Sequence, residues 1–114
     1  MTEKNPYVAD FPSIITQEGN AKVLVPDLKA YNVSPSDYAP SKAPVFYNPV
    51  MEFNRDLTVL AFRAYQKMVD QEIGICEPLT SQGIRAIRYA LEIDNVGQVK
   101  TSDINRNAYE LAQH

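Results

Sequence analysis

The sequence is short of the residues that make covalent and metal cross-links. Its 114 residues include one cysteine, Cys76, and one histidine, His114. One cysteine cannot form an internal disulfide, and these two side chains are too few for a structural zinc site. We therefore expect no bound metal and a reducing compartment. We also expect Cys76 to be a small buried residue rather than a nucleophile, because no histidine lies near it in the sequence.

Long apolar runs and an excess of basic residues are also missing. No apolar stretch approaches the roughly 20 residues needed to cross a bilayer, and residues 1–11 lack the charged and apolar regions of a signal peptide. The formal net charge of −3 argues against a free-standing nucleic-acid binder, which usually carries a basic excess. The sequence thus predicts a cytoplasmic protein without a membrane partner. Any RNA-binding surface is expected to be local or to lie outside this sequence.

The composition is that of a globular protein, with 45% hydrophobic and 22% charged residues. Two β-prone runs, 13–18 and 21–25, flank Gly19-Asn20, a pair that suits a type II′ hairpin turn. The connection that follows, up to Pro49, holds five of the eight prolines, which favours loop or extended chain over helix.

A long amphipathic helix is predicted over 50–70. Asn48-Pro49 suits its start, because asparagine caps free N–H groups and proline is tolerated at the first helical position. Apolar residues follow at i, i+4, i+7 and i+8 spacing and predict its buried face. They are Phe53, Leu57, Leu60, Ala61, Ala64, Tyr65 and Met68.

The remaining sequence alternates strand and helix. The pattern predicts a buried strand at 73–76, a helix at 83–93, a strand at 98–102 and a helix at 105–114. Such βαβα runs build parallel sheets with right-handed crossovers. Two parallel strands make a poor sheet, and the last helix lacks a glycine or proline stop, so we expect further sequence downstream. We expect two parts, 1–49 as hairpin and extension, and 50–114 as part of a Rossmann-like domain.

Polar residues follow the first strand of this unit, where open α/β sheets bind ligands. In the loop 77–83, Thr80 and Ser81 provide hydroxyls, and Gly83 would let the chain approach a ligand closely. Asp103 ends the next strand, at the spacing of an acid that accepts hydrogen bonds from ribose hydroxyls. We expect the two places to form neighbouring walls of one cleft for an adenosine group.

The residues alone leave alternatives open. The loop lacks GxGxxG, which disfavours NAD relative to S-adenosylmethionine, a cofactor without phosphate. Asp103 could instead cap the last helix, and Glu77 could be a solvated strand end.

The arginines are equally open to more than one interpretation. The i, i+4 spacing of Arg88 and Glu92 favours a surface ion pair, and Arg55 could pair with Asp56 in solvent. Arg85, in the first turn of a helix, is unfavourable unless an anion such as a carboxylate lies near.

Four ordered blocks resemble a known family: Phe46-Tyr47-Asn48-Pro49, Asn54-Arg55-Asp56-Leu57, the run 83–92 and Ser102-Asp103-Ile104-Asn105. Together with Glu18-Gly19 before an alternating strand, they resemble the tRNA (guanine-26-N2) dimethyltransferases of archaeal and eukaryotic type. The resemblance implies an α/β, partial Rossmann-like class I methyltransferase fold, preceded by an amino-terminal β-hairpin and an extra helix. It also implies methyl transfer from S-adenosylmethionine to the N2 amine of guanine 26 in tRNA.

The resemblance also implies a set of cofactor contacts. Arg55 and Arg85 are similar to residues at the methionine end, and Asp103 is similar to the ribose acceptor. With the loop residues, the predicted cofactor-binding set is Arg55, Glu77, Leu79, Thr80, Gly83, Arg85, Asp103 and Ile104. No catalytic residue is predicted, because the family's Asp-Pro-Phe-Gly motif and its tRNA-holding carboxy-terminal domain are absent. The isolated chain is therefore expected not to methylate tRNA.

Two positions depart from the family pattern. Glu77 stands in place of an aspartate, and Gln82 in place of a small residue. The second departure favours another hypothesis, a non-catalytic interaction fragment of a split or decayed methyltransferase. A nicotinamide-dependent oxidoreductase is a third hypothesis, which the missing glycines disfavour.

Overall fold

The computed structural model describes residues 9–31 and 38–114. Residues 1–8 lie outside the described residues. They include most of residues 1–11, for which the sequence predicts no signal peptide. The elements in the described residues are β1 (Ser13–Glu18), β2 (Ala21–Pro26), α1 (Ala39–Lys42), α2 (Glu52–Val69), β3 (Ile73–Glu77), α3 (Ile84–Glu92), β4 (Val96–Thr101) and α4 (Arg106–Ala112). None of the helices in these ranges is both long and apolar enough to span a bilayer.

The amino-terminal hairpin forms as predicted. β1 and β2 pair antiparallel, and Glu18 lies opposite Ala21, which leaves a two-residue turn at Gly19-Asn20. Gly19 has a φ of 54° and Asn20 is not in the left-handed region, the combination that a type II′ turn requires. A Cβ atom at Gly19 would lie 2.6 Å from a carboxylate oxygen of Glu92, so the turn also needs glycine for its close approach to α3.

The connection between the hairpin and α2 is more regular than predicted. It contains a 3-10 turn at Leu28–Tyr31 and the single α-helical turn α1. The prediction of loop is therefore wrong at α1. Pro40 lies in the first turn of α1, where the backbone N–H that proline lacks would have no helical partner in any case.

The start of α2 confirms its prediction. The Asn48 side chain accepts a hydrogen bond from the Val50 N–H at 3.0 Å, and Pro49 opens a 3-10 turn that leads into the helix. The predicted buried face is wrong, however, since Phe53 is 71% and Met68 76% exposed. The face turned inward carries Arg55, Val59, Phe62, Gln66 and Val69, at alternating spacings of four and three residues.

The βαβ unit forms with a parallel pair of strands. β3 and β4 pair in parallel, and β4 begins two residues earlier and ends one residue earlier than predicted. Ile73 and Ile75 are buried in a cluster with side chains of α2 and α3, so both helices cover the same face of the sheet. Cys76, which follows Ile75 and points to the opposite face, is exposed because the described residues leave that face of the sheet open. This contradicts the prediction that Cys76 is buried.

The last helix and the hairpin complete the fold. Asn105 opens α4 as predicted, and its side chain accepts hydrogen bonds from the N–H groups of Asn107 and Ala108. β2 packs on α3 through a cluster that includes Val23, Val25 and Ile84. The chain thus has an α/β, partial Rossmann-like fold with an added hairpin. The division at residue 49 stays a prediction.

Candidate functional site

A cavity of about 150 Å³, open to solvent, lies at the carboxyl end of β3. Its walls are the loop after β3, the segment 46–51 before α2, and the first turns of α2 and α3. Small-molecule sites usually measure about 300–1,000 Å³, so the part of the cavity that the described residues enclose could hold only part of such a ligand. Predicted cofactor-binding residues in its wall are Arg55, Glu77, Leu79, Thr80 and Arg85.

The loop that forms one wall has an unusual backbone. Leu79 and Ser81 have φ values of 67° and 54°, and Gly83, which ends the loop, has a φ of 85°. Non-glycine residues in this region store strain of order 1–3 kcal/mol each, and such strain is concentrated at ligand-binding sites. The Thr80 hydroxyl donates to Glu77 at 2.8 Å and the Ser81 hydroxyl donates to the Phe46 carbonyl at 2.6 Å, which holds the loop in place.

The ends of β3 and β4 lie side by side, as the sequence predicts. The Ser81 N–H donates to Asp103 Oδ2 at 2.8 Å, and the Thr80 N–H donates to the Ser102 carbonyl at 2.9 Å. The other oxygen of Asp103 accepts from the Asn105 N–H at 2.8 Å. Asp103 is therefore attached to the loop but does not line the cavity. Asn105 rather than Asp103 caps α4.

Glu77 and Arg85 face the cavity with opposite charges. Burial raises the pKa of Glu77, and the hydrogen bond from Thr80 and the charge of Arg85 only partly oppose this increase. Glu77 is thus half-buried and hydrogen-bonded, which contradicts the alternative of a solvated strand end. Arg85 donates to Asn54 Oδ1 at 2.6 Å and to the Thr58 hydroxyl at 3.2 Å, and it forms no salt bridge with the described residues.

Arg55 lines the cavity but its main partner is Glu18. Its Nε and Nη2 atoms donate to the two Glu18 oxygens at 2.6 and 2.8 Å, and Nη2 also donates to the Asn48 carbonyl. Arg55 is 5% exposed, and its neighbour Asp56 pairs instead with Arg88 at 2.7 Å. The alternative of a solvated Arg55–Asp56 pair is therefore wrong.

Arg88 completes a buried network of charges around Glu18. It forms the predicted pair with Glu92 at 2.7 Å, yet it is 3% exposed, so the prediction of a surface position is wrong. Its Nη1 atom also donates to Glu18 at 3.1 Å, and the Tyr47 hydroxyl donates to the same carboxylate at 3.2 Å. The network joins β1, the segment before α2, α2 and α3 behind the cavity.

Besides Asp103, two further predicted residues, Gly83 and Ile104, do not line the cavity. Gly83 is buried, and a Cβ atom there would lie 3.5 Å from the Ala112 side chain. Ile104 is 98% exposed. The described residues also contain no group of three or more histidine, cysteine, aspartate or glutamate side chains suited to a metal ion.

Sequence reasoning missed part of the cavity wall. Phe46, Tyr47 and Asn48 line it. The only signal was their presence in a block of the family resemblance, in which none of them was assigned a role in binding the cofactor. Gln82 also lines it and is 2% exposed, and neither polar atom of its side chain has a hydrogen-bond partner among the described residues. The signal at Gln82 was its bulk in place of a small residue.

Comparisons with known proteins identify the family. The family model described as N2,N2-dimethylguanosine tRNA methyltransferase matches residues 19–114. A Methanobrevibacter smithii protein named tRNA (guanine(26)-N(2))-dimethyltransferase is 43% identical over 98 residues, which are 86% of this chain and 23% of that protein. Proteins of the same name from Pyrobaculum arsenaticum and Sulfolobus acidocaldarius are 44% and 42% identical, over 86% and 82% of this chain and 25% and 23% of their own lengths.

The chain therefore spans about a quarter of the length of these curated relatives. The family match covers β2 and every later element of the fold, including the loop after β3 and Asp103. The chain belongs to the N2,N2-dimethylguanosine tRNA methyltransferase family.

Proposed function

We propose that this chain forms the cofactor-binding part of a tRNA (guanine-26-N2) methyltransferase, with S-adenosylmethionine as the methyl donor. The observation that carries the proposal is the cavity at the end of β3, whose loop is hydrogen-bonded to Asp103 at the end of β4. Nucleoside ligands of open α/β sheets bind at this place. The names of the relatives supply the substrate, tRNA, and the reaction.

The side chains around the cavity suit the parts of S-adenosylmethionine. Arg85 forms no salt bridge with the described residues, and it would bind the α-carboxylate. Glu77 would accept hydrogen bonds from the α-ammonium or from hydroxyls. Asp103 lies beside the cavity rather than in its wall. The ribose would extend past the loop to reach it, and Asp103 would accept from the ribose through its remaining lone pairs, since each carboxylate oxygen accepts more than one hydrogen bond. Gly83 is the only glycine of the loop, which argues against a pyrophosphate-bearing ligand.

The role of these residues in the reaction would be binding and orientation. When bound, S-adenosylmethionine supplies a methyl group on a positively charged sulfur. Residues that fix both ends of the cofactor limit the directions in which this methyl group can point, and such positioning provides a large part of the rate in transfer reactions. The Arg55–Glu18 ion pair would keep the wall formed by α2 in place.

The remainder of a protein of the relatives' length would supply the other functions. It would hold the guanine and the tRNA, for which this chain, with its net charge of −3, has no basic excess. It would also cover the exposed apolar side chains of α2 and the open face of β3.

Titration calorimetry with S-adenosylhomocysteine, the product that remains after methyl transfer, tests the proposal. We expect the chain to bind this product, and Asp103→Ala to weaken the binding by about tenfold or more, because it removes a charged hydrogen-bond acceptor and frees the Ser81 N–H. The exposed Asp10, changed to alanine, provides the matched control and should leave affinity unchanged. A folded wild-type chain that does not bind, or an Asp103→Ala variant with wild-type affinity, would contradict the proposal.

A further inference from the structure

Glu18 does not line the cavity, but it is bonded to a residue that does. It lies at the end of β1, is 2% exposed, and accepts from Nε and Nη2 of Arg55 at 2.6 and 2.8 Å. A pair with two parallel N–H···O bonds fixes the plane and the direction of a guanidinium group. The amino-terminal hairpin therefore determines where the guanidinium group of Arg55 points.

Two further contacts restrict Arg55. Nη2 also donates to the Asn48 carbonyl at 3.0 Å, and the guanidinium carbon lies over the Tyr47 ring, 5.2 Å from its centre. The third nitrogen, Nη1, has no hydrogen-bond partner among the described residues. The buried side-chain atoms that lack a partner in these residues both belong to Gln82, so Nη1 keeps contact with solvent. Since Arg55 lines the cavity, Nη1 is the nitrogen available to a ligand there.

We propose that Glu18 is a positioning residue of the cofactor site, which holds Arg55 so that Nη1 points into the cavity and donates to the ligand. The α-carboxylate is the anionic group of S-adenosylmethionine, and a guanidinium N–H bonds most strongly to an anion. Glu18 itself does not touch the ligand. It orders Arg55 before binding, which increases affinity because less side-chain entropy is lost when the ligand binds. The inference rests on the proposed function and gives the hairpin a role in cofactor binding.

The negative charge of Glu18 acts in the opposite direction. It repels the α-carboxylate, but the cavity is open to water, which weakens the interaction between charges that are not in contact. A donor that points the wrong way loses its hydrogen bond to the ligand altogether. The effect of orientation is therefore the larger one, and loss of Glu18 should weaken binding.

Glu18→Gln tests the inference, because one carboxylate oxygen becomes an NH₂ group that cannot accept from Arg55. We expect S-adenosylhomocysteine to bind about tenfold more weakly in titration calorimetry, the effect of losing a hydrogen bond between charged groups. Binding of 5′-methylthioadenosine, which has no carboxylate, should be unchanged, whereas structural damage would weaken both ligands alike. In an Arg55→Met background, Glu18→Gln should not change the affinity for S-adenosylhomocysteine further, because Glu18 acts through Arg55.

Glu92→Gln is the matched control. Glu92 belongs to the same network, since it accepts from Arg88, but it has no hydrogen bond or ion pair with Arg55. Its replacement should leave the affinity for both ligands unchanged. A measurement on wild type keeps the test independent of variant folding. The Nη resonances of Arg55 should shift when S-adenosylhomocysteine is added and should not shift with 5′-methylthioadenosine.

The possible outcomes separate this inference from the proposed function. If wild type binds S-adenosylhomocysteine but the Arg55 resonances do not respond, the inference fails while the proposed function stands. The same holds if Glu18→Gln binds S-adenosylhomocysteine as well as wild type or more tightly, since Glu18 would then compete with the ligand for Arg55. Equal weakening for both ligands would leave Glu18 a structural role only and overturn the inference as well. If folded wild type binds neither ligand, both the inference and the proposed function fail.

Discussion

Glu18 is the buried carboxylate that joins the buried side chains of Arg55 and Arg88. It accepts hydrogen bonds from Arg55, Arg88 and Tyr47, and it is the shared anion between two buried arginines. Burying a carboxylate is costly, and the cost is offset only where the geometry satisfies its oxygens. Removal of the shared anion would leave both guanidinium groups buried without their common partner.

The substitution Glu18→Gln tests this role at neutral pH. We expect the free energy of unfolding to fall by about 3–5 kcal/mol, the range for a buried ion pair that loses one partner. Urea denaturation followed by circular dichroism measures it. Glu72→Gln is the control, because Glu72 is exposed and forms no salt bridge with the described residues, and it should change stability by less than about 0.5 kcal/mol. Equal effects of the two substitutions would contradict the role of Glu18.

At the level of elements, α2 has two stripes of different composition. The outer stripe contains Phe53, Leu57 and Leu60, and the inner stripe contains Arg55 and Val59. Hydropathy alone predicts that the outer stripe is buried, because the inner stripe includes a charged side chain. The inner stripe faces the protein because Arg55 reaches Glu18 and because Val59 packs with the apolar residues of β3 and α3.

A matched pair of substitutions distinguishes the stripes. Val59→Ala should lower the free energy of unfolding by about 2 kcal/mol, because it removes two buried methyl groups and leaves a cavity. Leu57→Ala removes more apolar surface but from a half-exposed side chain, and alanine favours helix, so the change should stay within about 0.5 kcal/mol. Urea denaturation of both variants measures which one loses more unfolding free energy. If Leu57→Ala lowered the free energy of unfolding more than Val59→Ala, the outer stripe would be the buried one.

The sequence predicts elements better than it predicts burial. Turn and cap residues act locally, so Gly19, Asn48 and Asn105 mark the hairpin and two helix starts correctly. The exposure of Cys76 could not be predicted, since a strand pattern does not reveal whether one or two layers cover a sheet. Arg55 lies on the cavity wall as the resemblance implies, but its pairing with Glu18 links residues 37 positions apart, which no local pattern shows.

At the scale of the whole molecule, the Glu18 network attaches the hairpin to both helices of the sheet. β1 contributes Glu18, α2 contributes Arg55, and α3 contributes Arg88. β2 packs on α3 through the apolar cluster that includes Val23, Val25 and Ile84. Loss of charge at one buried carboxylate should therefore reduce the stability of the entire described fold rather than loosen one element.

Acid provides the test of this coupling. Burial would raise the pKa of Glu18, but the hydrogen bonds and charge of Arg55, with bonds from Arg88 and Tyr47, hold it below its ordinary value. A lowered carboxyl pKa in the folded state adds stability above the unfolded value of about 4.3, and this contribution is lost as the pH falls through the folded value. The urea midpoint of wild type should therefore decrease below about pH 4.3. Glu18→Gln, which lacks this titrating group, should show a smaller decrease over the same range, whereas equal slopes for the two proteins would show that other carboxylates govern acid unfolding.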